Sequence, residues 1–150
     1  MLIVSDNDQS HEKSLEEVKT SLKDSRGFPN PNKSKDVARR DGFPPVVILM
    51  LPDGKPGSLE NLCETAALHK WSHLKDPLDV YVGNTPVKDW DAGKQGKMRM
   101  QTIIASTCMA RPETGFLGHW FENVEYHIPL DHEVFNPLED FLRGFRGLVT

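Results

Sequence analysis

Apolar residues in this chain follow two patterns, unbroken runs and helical stripes. The longest run is Val46-Val47-Ile48-Leu49-Met50-Leu51, bounded by Pro45 and by Pro52-Asp53-Gly54. Such a run predicts a central strand of a parallel sheet, because helices cover both of its faces. A shorter run, Leu2-Ile3-Val4, predicts a buried strand that ends in Asp6-Asn7-Asp8. Helical spacing follows at Leu15, Val18 and Leu22, with Ser14-x-x-Glu17 as a capping box and Gly27 and Pro29 as the stop. It returns at Leu59, Leu62, Cys63, Ala66 and Ala67 behind Gly57-Ser58, and at Met100, Ile103, Ile104 and Thr107 within 94–109. The last stripe is Leu138, Phe141, Leu142 and Phe145 behind Asn136-Pro137. Asp76-Pro77 either opens a short helix running to Gly83 or precedes a strand at Val80-Tyr81-Val82, and the pattern leaves both open.

Between these elements the chain is polar. Residues 28–45 carry prolines, glycines and the charged run Lys33 to Asp41, which predicts a long exposed loop. Residues 84–93 are rich in turn formers. Residues 111–131 are irregular and aromatic, with Phe116, Trp120, Phe121 and Tyr126 expected to cover the core. Two strands alone do not make a stable sheet. Further strands are expected from the ambiguous stretches, from a second copy or partner chain, or from an N-terminal part that precedes this sequence.

The fold class expected is therefore α/β, a parallel sheet flanked by helices, in one domain over 1–150. A net charge of −4 argues against a protein that coats nucleic acid through general basicity, and leaves local patches open. Lys33, Lys35, Arg39 and Arg40 form one in the loop. Lys94, Lys97 and Arg99 form another near a helix start, where cations work against the helix dipole, so that either an anionic partner or solubility explains them. Cys63 and Cys108 have no motif partners and read as buried thiols of a reducing cytosol. No apolar run approaches the roughly 20 residues needed to cross a bilayer, which predicts a cytoplasmic protein without a membrane partner. His69 and His73 can share a helical face, but with no third ligand evident they do not make a zinc site.

The candidate chemistry is acidic. Asp6 and Asp8 stand two apart, the spacing that puts side chains on one face of a strand, and could hold one hard cation together. Asp53 follows the second run as they follow the first, so adjacent parallel strands would bring all three to one rim. Glu60, in the first turn of the next helix, either reaches that rim as a further ligand or simply complements the helix dipole. Plain capping chemistry in a strand-to-helix turn accounts equally for the Asp-Asn-Asp-Gln-Ser stretch.

Three passages together resemble the Toprim-fold proteins, in particular an uncharacterised bacterial group related to the nuclease half of the OLD family. They are Ile3-Val4-Ser5-Asp6-Asn7-Asp8, then Leu51-Pro52-Asp53-Gly54 with Gly57-Ser58-Leu59-Glu60-Asn61-Leu62-Cys63, and lastly Lys94 to Ser106 with the Phe135 to Leu142 ending. The resemblance implies a Toprim-like, Rossmann-like sheet and a divalent metal, magnesium with manganese as its substitute. It implies nucleic acid, DNA or RNA, as the partner. Asp6 and Asp8 match the metal-binding pair, Asp53 and Glu60 look like acids for a second metal, and Lys97, with Lys94 behind it, matches a catalytic lysine that offsets phosphate charge. The family pattern also has a glutamate after an earlier strand, and this chain starts after that position. The resemblance thus implies an N-terminally shortened domain, read either as a magnesium-dependent nuclease or as a non-catalytic binding module. Phosphotransfer on a strand-end aspartate is a third reading of the same acids.

Overall fold

The computed structural model describes residues 1–25, 27–107 and 128–149. In chain order the elements are β1 (Leu2–Asp6), α1 (His11–Asp24), β2 (Val37–Ala38), β3 (Val46–Leu51), α2 (Leu59–Lys70), α3 (Lys75–Gly83), α4 (Ala92–Thr107) and α5 (Asn136–Val149). Short 3-10 turns lie at Ser72–Leu74, Pro86–Asp89 and Glu133–Phe135. The chain is mixed α/β and divides into two compact units, Met1–Gly57 with Pro137–Thr150, and Ser58–Asn136.

The first unit holds the sheet, in the order β1-β3-β2. β1 runs parallel to β3 with Leu2 opposite Val47 and Asp6 opposite Leu51. Every residue of β3 is buried, as its unbroken apolar run requires. Val46, Ile48 and Met50 form a core with Leu15 and Leu22 of α1, and Ile3, Val18 and Phe28 pack against it. β1 is less enclosed: Val4 is 53% exposed.

The third strand comes from the stretch expected to be a loose loop. β2 pairs antiparallel with β3, Val37 opposite Val47, so the sheet is mixed rather than all parallel. The backbone N–H of Lys35 donates to the Ile48 carbonyl at 2.7 Å, and the Met50 N–H donates to Ser34 Oγ at 3.1 Å. A few apolar residues anchor the segment at wide intervals. Pro31 is buried, and Phe28 meets Phe43 edge-on at 5.5 Å. A polar segment with a few such anchors docks on a sheet edge without showing a strand period. The cap of α1 also differs from expectation. Ser10, not Ser14, is the N-cap, its Oγ accepting from the Lys13 N–H at 3.4 Å. In α5 Phe141 is buried, whereas Leu142 is 48% exposed, so the apolar stripe is narrower than its spacing suggests.

In the second unit Cys63, Ala66 and Ala67 of α2 and Met100, Ile103 and Ile104 of α4 build the core with Leu78, Ile128 and Phe135. Leu59, expected on the inner stripe, is exposed in the first turn. Val80-Tyr81-Val82 is helical, inside α3. Residues 108 and 109 of the helix expected over 94–109, together with Phe116, Trp120, Phe121 and Tyr126, lie outside the described residues. No helix among the described residues is long and apolar enough to cross a membrane.

α2 and α4 approach closely at Gly96. A Cβ there would fall on the side chain of Asn61, within 2.7 Å of its Cγ. Asn61 has little room to yield, because its Oδ1 accepts from the Ser58 N–H at 2.8 Å and its Nδ2 donates to the Ala92 carbonyl at 3.5 Å. Gly96→Ala is therefore expected to lower stability by about 1–2 kcal/mol, although alanine is the better helix former by about 1 kcal/mol. Gly144 in α5 meets no atom within 4 Å of the same added carbon, so Gly144→Ala should raise stability by about 0.5–1 kcal/mol. Urea melts of the two variants give opposite signs; equal signs would refute the close approach.

Candidate site at the strand ends

The exits of β1 and β3 are tied together by one side chain. Asn7 is completely buried. Its Nδ2 donates to the Pro52 carbonyl and, at 2.7 Å, to the Lys55 carbonyl, both in the turn after β3. Its backbone N–H donates to the Leu51 carbonyl at 2.8 Å, and its own carbonyl accepts from Ser14 Oγ at 2.7 Å and from the Ser10 N–H at 3.1 Å. Ser14 is thus a tie between α1 and the strand exit, which explains why a residue resembling a helix cap sits buried inside the helix. An amide suits this position, since it supplies two donors and an acceptor without a charge to bury.

Around this lock the acids take their places. Asp6 is the last residue of β1, opposite Leu51. Asp8 lies beyond the strand, exposed, with φ +45°, and forms a bridge with Gly57, whose N–H donates to the Asp8 carbonyl at 2.7 Å. Gly57 has φ +131°, a backbone conformation that side chains disfavour. Asp53 follows β3 on the same border. Parallel pairing therefore brings the turns carrying Asp6, Asp8 and Asp53 to one rim of the first unit, as the two apolar runs predict. The face argument for Asp6 and Asp8 does not carry over: β1 ends at Asp6 and the chain turns left-handed at Asp8, so strand alternation no longer relates the two.

Asp53 is already engaged, its Oδ2 standing 2.6 Å from Lys35 Nζ. No group of three His, Cys, Asp or Glu side chains that could hold a metal ion occurs among the described residues. Magnesium commonly uses only one or two carboxylates, with water and phosphate oxygens completing its shell. Asp6 and Asp8 are two carboxylates, the number such a lean site uses, carried by neighbouring positions of the β1 exit.

Glu60 and Lys97 belong to the second unit. Glu60 lies half-buried in the first turn of α2, the favourable end of the helix dipole, and Lys97 is exposed on α4. Burial pushes the Cys63 thiol up to about 12, with the charge of Glu60 adding to the effect. The other two cations of α4 have internal acids. Lys94 Nζ is 3.1 Å from Asp91 Oδ2; Arg99 reaches Glu64 at 2.5 Å through Nε and Asp79 at 2.8 Å through Nη2. In the 28–45 segment Arg39 donates to the Leu148 carbonyl at 2.9 Å, and Arg40 donates to the Gly27 carbonyl at 2.6 Å while lying over the Phe43 ring. Most of the basic residues expected to meet phosphates thus serve the fold. In the second unit His69 meets His132 edge-on at 4.8 Å.

Compared with protein-family models, with curated proteins and with solved structures, the chain matches none. The site is therefore read from its own residues. Sequence reasoning passed over Asn7 and His11, which the rim is built on. The signal for Asn7 was a lone amide between two carboxylates at a strand exit.

Proposed function

We propose that the first unit is a Toprim-like, OLD-type module that binds magnesium and a nucleic-acid phosphodiester at the rim after β1 and β3, and hydrolyses it. The observation that supports this best is the parallel register placing Asp6 opposite Leu51, with the Asp8–Gly57 bridge holding the two exits together. Asp6 and Asp8 hold the ion, manganese substituting for magnesium. Lys33 stands nearby to meet phosphate charge, lining a cleft that Asp53 also borders. A bound ion polarises the phosphoryl group and supplies a reactive water.

The test is cleavage of plasmid DNA and of single-stranded RNA with magnesium, with manganese and with chelator. Cleavage is expected only with metal, and Asp6→Asn and Asp8→Asn should each fall to background. Cleavage that survives both substitutions would refute the site. Lys97→Ala, assayed beside them, reads what the second unit adds.

A second reading, a module that binds without turnover, is favoured by the ion pair that engages Asp53 with Lys35. It expects magnesium binding by calorimetry, weakened by Asp6→Asn, and no cleavage of either polymer.

A further inference from the structure

Beside the rim lies a cleft of about 530 Å³ between α1, the 32–34 segment and the Asp53-Gly54 turn, with His11, Glu12, Glu16, Lys19, Lys33 and Asp53 among its walls. Its size suits a small group or part of a larger one. His11, the first residue of α1, places Nδ1 2.9 Å from Asn7 Oδ1. The direction of that bond follows from the rest of the network. Two carbonyls, those of Pro52 and Lys55, face the other end of the Asn7 amide, so that end must be the NH₂ and the end facing His11 must be the oxygen. An oxygen accepts; hence Nδ1 carries the hydrogen, and in the neutral ring Nε2 carries the lone pair. A buried amide therefore fixes the tautomer of a histidine that borders a cleft.

The acids of the cleft have partners of their own. Glu16 pairs with Lys19 at 2.8 Å and Asp53 with Lys35 at 2.6 Å. The carboxylate of Glu12 is held below its usual range by its own backbone N–H and by the Ser10 hydroxyl, so it is a weak base. Among the described residues nothing donates to His11 Nε2.

We infer that His11 is the general base of the hydrolysis proposed above, and Asn7 its positioning residue. The inference rests on that reading of the rim. Water attacks phosphorus, the bond to the leaving oxygen breaks, and the proton of the water passes to Nε2; the departing oxygen takes a proton from solvent. The imidazolium so formed keeps its Nδ1–H on Asn7 Oδ1, a bond that strengthens as the ring gains charge. Lys33 lies on the same cleft to offset the phosphate.

Two measurements on the full chain test this. In ¹⁵N-histidine NMR, with the signals assigned by their loss in His11→Ala, His11 is expected in the Nδ1–H form; the Nε2–H form would overturn the inference. In the cleavage assay His11→Ala should lose about 100-fold or more in rate. Imidazole in the buffer should return part of the loss, which a folding defect would not allow. If His11→Ala does not fold, His11→Gln keeps a donor for Asn7 Oδ1 but no basic nitrogen, and should show the same loss. Cleavage within twofold of wild type in the folded variant, or a loss in His11→Ala that imidazole leaves untouched, removes the base and spares the rim. No cleavage by the wild-type chain removes the hydrolysis reading, and the base with it.

Discussion

Arg99→Met is expected to destabilise the second unit by about 3–5 kcal/mol at neutral pH, because it leaves a largely buried carboxylate without its cation. The side chains of Arg99 and Glu64 are only 13% and 14% exposed. Burial pushes the Glu64 carboxyl up even with the guanidinium bonded to it. Burial also acts against the Arg99 charge, but the bonds to Glu64 and Asp79 outweigh it and hold that guanidinium above its ordinary value. Without Arg99 the Glu64 carboxyl must rise further. A carboxyl raised in the folded state is tolerated when protonated and penalised when ionised, so stability is present at low pH and lost as pH rises through the folded value. The deficit of Arg99→Met should therefore be largest near pH 7 and shrink as the medium is acidified. Glu64→Gln added to Arg99→Met should recover much of it, since no buried charge then remains. Urea melts at two pH values read both effects; a deficit independent of pH, with no recovery in the double variant, would show that Arg99 acts through packing alone.

The same residue marks what the sequence leaves hidden. Arg99, read along the chain, is one of three cations at the start of a helix, and nothing local says that Glu64 and Asp79 face it from α2 and α3. The apolar patterns were legible because they arise from periodicity within one element: the β3 run, the α4 stripe from Met100 to Thr107 and the start of α5 at Asn136-Pro137 lie where spacing puts them. β2 was not, since two residues carry no period and its segment is held by Phe28, Pro31 and Phe43 at wide intervals. At the site, the shared border of Asp6, Asp8 and Asp53 followed from two apolar runs becoming adjacent parallel strands. The ion pair of Asp53 with Lys35, and the left-handed turn at Asp8 that ends the strand face, depend on a docked loop and a bridge to Gly57, neither of which has a local signature.

Asn7→Ala is expected to destabilise the first unit by about 3 kcal/mol, a fall of roughly 6–12 °C in melting temperature for a chain of this size. The variant leaves the Pro52 and Lys55 carbonyls without the amide that joins them to the β1 exit; an orphaned buried acceptor, here Pro52, costs about 1–3 kcal/mol, and the half-buried bond to Lys55 adds to it. The backbone bonds of residue 7 to Leu51 and Ser14 persist, so the strands should still pair and the loss should stay short of unfolding. Asn7→Asp, equal in shape, should be the more damaging change at neutral pH, because it sets a buried carboxylate oxygen against two carbonyl oxygens. Its folded pKa would lie above the unfolded value, so its stability should recover as pH falls and be lost as pH rises, whereas the deficit of Asn7→Ala should stay flat. If Asn7→Ala melts within about 2 °C of wild type, the two exits are held by strand pairing and the Asp8–Gly57 bridge, and the Asn7 amide adds little.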